Sequence, residues 1–103
     1  MSTMRNSVML IGRPTTDPTI NEKFGIAAFT LLVTEQVMNK QTHEWEQDSF
    51  SIRCSCDNEK LTKRIADNIR KGYRVAIDGK IQPIDGSFYI SIHDLFIIDK
   101  PNE

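Results

Sequence analysis

The sequence predicts an all-β fold carrying one α-helix, because its hydrophobic period changes twice along the chain. Phe50, Ile52, Cys54 and Cys56 alternate with Ser49, Ser51, Arg53 and Ser55, the period-two pattern of a half-buried strand. Leu61, Ile65 and Ile69 then recur at every fourth position, which puts them on one stripe of a helix. From Val75 the period returns to two, with Val75, Ile77, Gly79 and Ile81 against Arg74, Ala76, Asp78, Lys80 and Gln82. A length of 103 residues suits a single domain over 1–103, too small to bury a large core.

The elements follow in order. Ser7 to Arg13 is a short apolar run closed by Gly12 and then Pro14, which reads as a first strand, and Pro14 to Pro18 as a loop. Phe24 to Met38 is rich in β-branched and aromatic residues and is long enough for one bent second strand, with Gly25 as a bulge or a lead-in turn. Asn39 to Thr42 is a polar turn, and the third strand runs from Trp45 to Cys56. The helix spans Asn58 to Lys71. Asp57 or Asn58 caps its start, and Arg70-Lys71-Gly72 supplies a cationic last turn and a stop. A fourth strand follows, then a tight turn at Asp85-Gly86, and a fifth strand over Ser87 to Ile98. Residues 99–103 form a short polar end. Five strands with one helix between the third and fourth is the order of an OB-fold, a five-stranded Greek-key barrel whose face commonly takes oligonucleotides or oligosaccharides.

Charge and composition narrow the function. Lys and Arg number 13 against 14 Asp and Glu, a net charge of −1, which excludes a bulk polycation but not a local basic face. No apolar run approaches a membrane span, and the N-terminus lacks the pattern of a secretory signal. Cys54 and Cys56 lie two apart in a strand, at the limit of disulfide reach, so they read as buried thiols in a reducing cytoplasm. His43 and His93 belong to no nucleophile motif, and no glycine-rich phosphate loop occurs. The expectation is a binding protein, not an enzyme, with no cofactor and no metal.

Three segments carry a family resemblance. Asn6 to Arg13 followed by Asp17-Pro18, then Phe29-Thr30-Leu31-Leu32-Val33, then Arg70 to Ile81 resemble, in order and spacing, the signatures of bacterial single-stranded DNA-binding proteins. The resemblance covers about residues 4 to 98. It implies sequence-independent binding of single strands by an oligomeric OB-fold, usually a tetramer, in DNA replication, recombination, repair or transfer. The binding chemistry would be a cationic groove for phosphates with aromatic platforms for bases. The sequence departs from the family where aromatics usually stand, which here are Val37, Ser51 and Asp57. The hairpin between the last strands is shortened around Asp85-Gly86. The family's linker and acidic tip do not occur, so the expectation is a short, tail-less member.

The candidate nucleic-acid contacts are Arg13, Arg53, Arg74, Lys80, Trp45 and Tyr89. Arg53 stands among small hydroxyls that leave room for a phosphate. Arg74 and Lys80 share the outer face of the fourth strand, and Arg13 closes the first. Trp45 is a half-exposed ring at a hairpin, flanked by Glu44 and Glu46, which repel phosphate. Tyr89 either stacks on a base or covers the sheet. Phe24, Phe29, Phe50, Phe88 and Phe96 read as core, and His93 as a surface or interface residue. The apolar first strand, Val8 to Ile11, could pair with its copy across a two-fold axis, giving a dimer or tetramer. The second reading is an oligomeric adaptor of a primosome or plasmid or phage replication complex, working through protein contacts.

Overall fold

The structure, a computed structural model, describes residues 4–101, so Asn102 and Glu103 of the expected polar end lie outside the described residues. The elements are β1 (Val8–Pro14), β2 (Thr19–Asn21), β3 (Ile26–Met38), β4 (Trp45–Cys56), α1 (Glu59–Asn68), β5 (Arg74–Ile84) and β6 (Ser87–Asp99). The strands follow the order β1-β5-β6-β4-β3-β2, and a β1–β3 pairing at Arg13↔Leu32 and Pro14↔Leu31 closes the five long strands into a barrel. The expected strands and helix are all present. The addition is β2, three residues laid on the rim of β3 at Thr19↔Ala28 to Asn21↔Ile26. So short a strand leaves no period to read.

The barrel interior is the set the alternation selects: Phe29, Leu31 and Val33 of β3, Cys54 and Cys56 of β4, Val75 and Ile77 of β5, and Ile90, Ile92 and Leu95 of β6 are buried. The helix seats Leu61, Ile65 and Ile69 on this core. Asn58 caps it, its Oδ1 accepting from the Leu61 N–H at 3.0 Å, and the Thr62 hydroxyl ties it to the Gly25 carbonyl at 2.8 Å. Gly25, at φ +64°, is a lead-in turn to β3. The helix stops at Asn68, short of the expected Lys71. The Arg70 guanidinium instead donates to the Ala66 and Ile69 carbonyls at 2.8 and 2.7 Å from beyond the end, and Gly72 turns the chain at φ +84°. Arg64 donates to Asp94 at 2.8 Å. With the Leu95 N–H, that bond holds the Asp94 carboxyl below its ordinary range.

The expectation that the phenylalanines are core holds only for Phe29. Phe24, Phe50, Phe88 and Phe96 are exposed by 65%, 45%, 62% and 56%. The hairpins outgrow the barrel. The radius of gyration is 15.4 Å, against about 13 Å for a compact chain of this size. Beyond the core, the inner face of a ribbon has nothing to bury against, and alternation stops meaning burial. Both cysteines are buried and free, as read from their spacing, and burial pushes the Cys54 thiol up to about 12. No helix is long and apolar enough to cross a membrane among the described residues.

Candidate nucleic-acid interface

In paired strands, side chains in register point to the same side of the sheet, so the pairing defines the outer surface row by row. One row runs Ala28–Ser55–Ser91–Lys80 across β3, β4, β6 and β5. The adjacent inward row, Phe29–Cys54–Ile90–Ile81, begins in the core. One residue further out, Thr30 opposes Arg53 on β4, and Gln82 opposes Tyr89 on β6. Because β4 and β6 run parallel with Cys54 beside Ile90, continuing that register brings Arg53 beside Tyr89. The third outer row is Arg13–Leu32–Ser51 across β1, β3 and β4.

Arg53, Lys80, Tyr89 and Arg13 therefore share one face, with Ser51, Ser55, Ser91 and Thr30 between them. Arg53 is exposed, while Lys80 and Tyr89 are half-buried. Thr34 and Ser49 bond across the hairpin at 3.1 Å, extending the hydroxyl surface toward the tip. The acids of the hairpin fall on its other side. Glu35 faces Asp48 and Val37 faces Glu46, all in phase with the buried Val33 and Cys54. Within the β3–β4 hairpin the pleat separates these acids from Arg53, while Asp78 and Asp99 stay on the outer side with Lys80, Arg13 and Arg74. None of the residues named in the outer rows is acidic.

The remaining candidates lie apart. Trp45, 65% exposed, is on the same ribbon face opposite Met38 but eight residues below Arg53, about 26 Å at strand spacing. Arg74 lies beyond the register shift between Asp78 and Gly79, and its Nη2 pairs with Asp99 Oδ2 at 2.8 Å. Arg13 reaches the same carboxylate at 3.8 Å and donates to the Gly72 carbonyl at 2.6 Å. His93 is exposed in the middle of β6, the residue left between Ile92 and Asp94 where that shift falls.

Sequence reasoning missed three supports of this face. Asn6 donates to the Ile81 carbonyl at 2.6 Å and accepts from its N–H at 2.9 Å, adding a side-chain rung to the β1–β5 ladder beside Lys80. Asp17 accepts from the Lys71 N–H at 2.8 Å, pinning the loop after β1 to the turn before β5. Asp99 joins Arg13 and Arg74. Asn6 and Asp17 sat within the opening motif, which was the available signal. Asp99 had none, since its partners are distant in sequence. A groove of about 830 Å³ between the Glu22–Gly25 turn and α1 is lined by Glu22, Asp57, Glu59 and Asp67 as well as Lys23, Lys60 and Lys63. Its mixed charges offer an anion no net field.

Comparison with known proteins agrees with this fold. Residues 5–85 match the family model described as the single-strand binding protein family. The chain is 32% identical over 79 residues to a single-stranded DNA-binding protein of Bifidobacterium longum, covering 73% of this chain and 36% of that protein. It is 25% identical over 80 residues to one from Mycobacterium bovis, covering 74% of this chain and 48% of the relative. It thus spans a third to a half of the length of these curated relatives. In structure it resembles the Plasmodium falciparum SSB in complex with ssDNA, with a TM-score of 0.82, 24% identity and coverage of 96% of this chain and 99% of the other. A small single-stranded DNA-binding protein from Streptomyces coelicolor superposes with a TM-score of 0.70 at 13% identity, covering 92% and 95% of the two chains.

Proposed function

The chain belongs to the single-strand binding protein family, and from that membership we propose that it binds single-stranded DNA, without reading sequence, on the outer face of β3, β4 and the β5–β6 hairpin. The observation that carries the reading is the division of charge by the pleat. Arg53, Lys80 and Arg13 stand with serine and threonine hydroxyls on one side, and Glu35, Glu46 and Asp48 turn to the other. Arg53 takes a phosphate at the centre of the track, where Ser51 and Ser55 add donors. Lys80 and Arg13 neutralise phosphates on either flank. Tyr89, beside Arg53, offers a ring for a base, and Trp45 a second platform at the hairpin tip. Arg74 extends the track past Arg13. Binding of this kind is steering and stacking. It needs no catalytic group.

The protein assembles through β1, whose edge from Val8 to Ile11 pairs with β5 on one side and meets β3 only from Arg13 onward. Met9, Ile11 and Phe96, exposed by 70%, 50% and 56%, line that surface and suit a dimer or tetramer. Buried free thiols fit a reducing cytoplasm, and the processes served are replication, recombination and repair. The adaptor reading draws on Val37, Ser51 and Asp57 standing where the family carries aromatics. Fluorescence anisotropy of labelled oligo-dT at low salt separates the two. Saturable binding is expected, and none up to tens of micromolar protein would refute the DNA reading.

A further inference from the structure

Two arginines from different strands converge on one carboxylate at the end of the barrel. Asp99 presents Oδ1 to Arg13 Nη2 at 3.8 Å and Oδ2 to Arg74 Nη2 at 2.8 Å. Arg13 is already aimed, because its Nη1 donates to the Gly72 carbonyl at 2.6 Å. A carboxylate with each oxygen on a separate guanidinium occupies the place, and imitates the charge, of a phosphate held by two arginines. The position lies on the track, since Arg13 is in the outer row with Leu32 and Ser51, next to the row of Thr30 and Arg53.

The residues after Asp99 hold the same turn. Lys100 Nζ lies 5.7 Å from the Tyr73 ring centroid, and Pro101 Cγ stands 3.6 Å from where a side chain on Gly72 would begin. Three successive residues therefore cover Gly72, Tyr73 and Arg74. Their hold is weak. Asp99 is the last residue of β6, its pairing with Arg74 lies beyond a register shift at Arg74/Val75, and the three charged side chains are 46–47% exposed. Ion pairs this exposed contribute little and yield to salt and to competing anions.

We propose that Arg13 and Arg74 form a phosphate subsite in which Asp99 is the resident anion, and that the Asp99–Pro101 strap lifts when a nucleic-acid phosphate displaces the carboxylate. The proposal rests on the outer face being the DNA track, and it makes Asp99 an internal competitor that sets affinity and salt response. Asp99→Asn removes the competitor and frees two cations, while Asp99→Glu keeps the charge.

The test titrates oligo-dT against wild type, D99N, D99E and R53A over a salt series, with thermal melts to confirm folding. Alongside, inorganic pyrophosphate is titrated into wild type and D99N, read by the ¹⁵Nε resonances of Arg13 and Arg74. D99N should bind several-fold tighter at low salt, with a log–log salt slope steeper by about 1.4, two contacts at about 0.7 each for single strands. D99E should match wild type, and pyrophosphate should move both arginine resonances at lower concentration in D99N. If R53A weakens binding but D99N equals wild type in affinity and slope, the subsite is overturned and the DNA track stands. If no variant binds oligo-dT, the DNA reading fails and pyrophosphate alone decides. Shifts at Arg13 and Arg74 then support the anion subsite, and their absence overturns it.

Discussion

Replacing Arg53 with Ala removes the central cation of the outer face while leaving the barrel intact, because the side chain is exposed and makes no ion pair under 4.0 Å among the described residues. Its consequence follows from counterion release. Each phosphate neutralised on a single strand contributes about −0.7 to the slope of log affinity against log salt. With Arg53 and Lys80 engaged and the charge of Arg13 already offset by Asp99, the slope is about −1.4 per bound protomer, so affinity falls about sevenfold between 50 and 200 mM salt. Without Arg53 the slope is about −0.7 and the same interval costs about 2.6-fold. The weakening should be uniform across oligo-dT, oligo-dC and oligo-dA, since a phosphate contact carries no sequence information. The control is Glu46→Gln, on the opposite face of the same hairpin, which keeps the oxygen that accepts from Asn39 Nδ2 at 2.8 Å. Anisotropy titrations over a salt series decide it. An R53A slope equal to wild type, or an E46Q change as large as that of R53A, would refute the assignment of the binding face by strand register.

The other expectations concern stability and assembly. A Cβ on Gly79 would collide with the Ser91 carbonyl, backbone that cannot swing aside, so Gly79→Ala should cost about 3 kcal/mol in urea denaturation; a loss under about 0.5 kcal/mol would show that β5 and β6 can spread there. Cys54 is raised from an ordinary 9.0 to about 12 by burial, so the unfolded chain ionises first as pH rises. The stability it confers is complete below pH 9.0, is lost between 9.0 and about 12, and equilibrium unfolding against pH should show the decline, shallower in Cys54→Ala. Ile11→Lys, on the outer side of β1 and 50% exposed in the wild type, should shift the oligomer to monomer at tens of micromolar in light scattering; an unchanged mass would place the interface elsewhere.

The hydrophobic period by itself determined the strands of the barrel, the helix and the side of each strand that faces the core, because alternation and a four-residue repeat are local consequences of backbone geometry. The same alternation put Arg53 outward among Ser49, Ser51 and Ser55, whereas the side taken by Glu46 emerges only from the strand pairing. Local signals also named the turn at Asp85-Gly86, where both residues take positive φ, and the Asn58 cap. They misjudged Phe50 and Phe88, since alternation says which way a side chain points and not whether anything lies there to cover it. Only the tertiary structure decided which outward residues are neighbours. Arg53 comes into register with Tyr89 because β4 and β6 pair in parallel across the intervening helix and β5, and Asp99 meets Arg13 because β5 pairs with β1 on one side and with the end of β6 on the other. Such adjacencies depend on register between strands far apart in the chain, which no local pattern encodes.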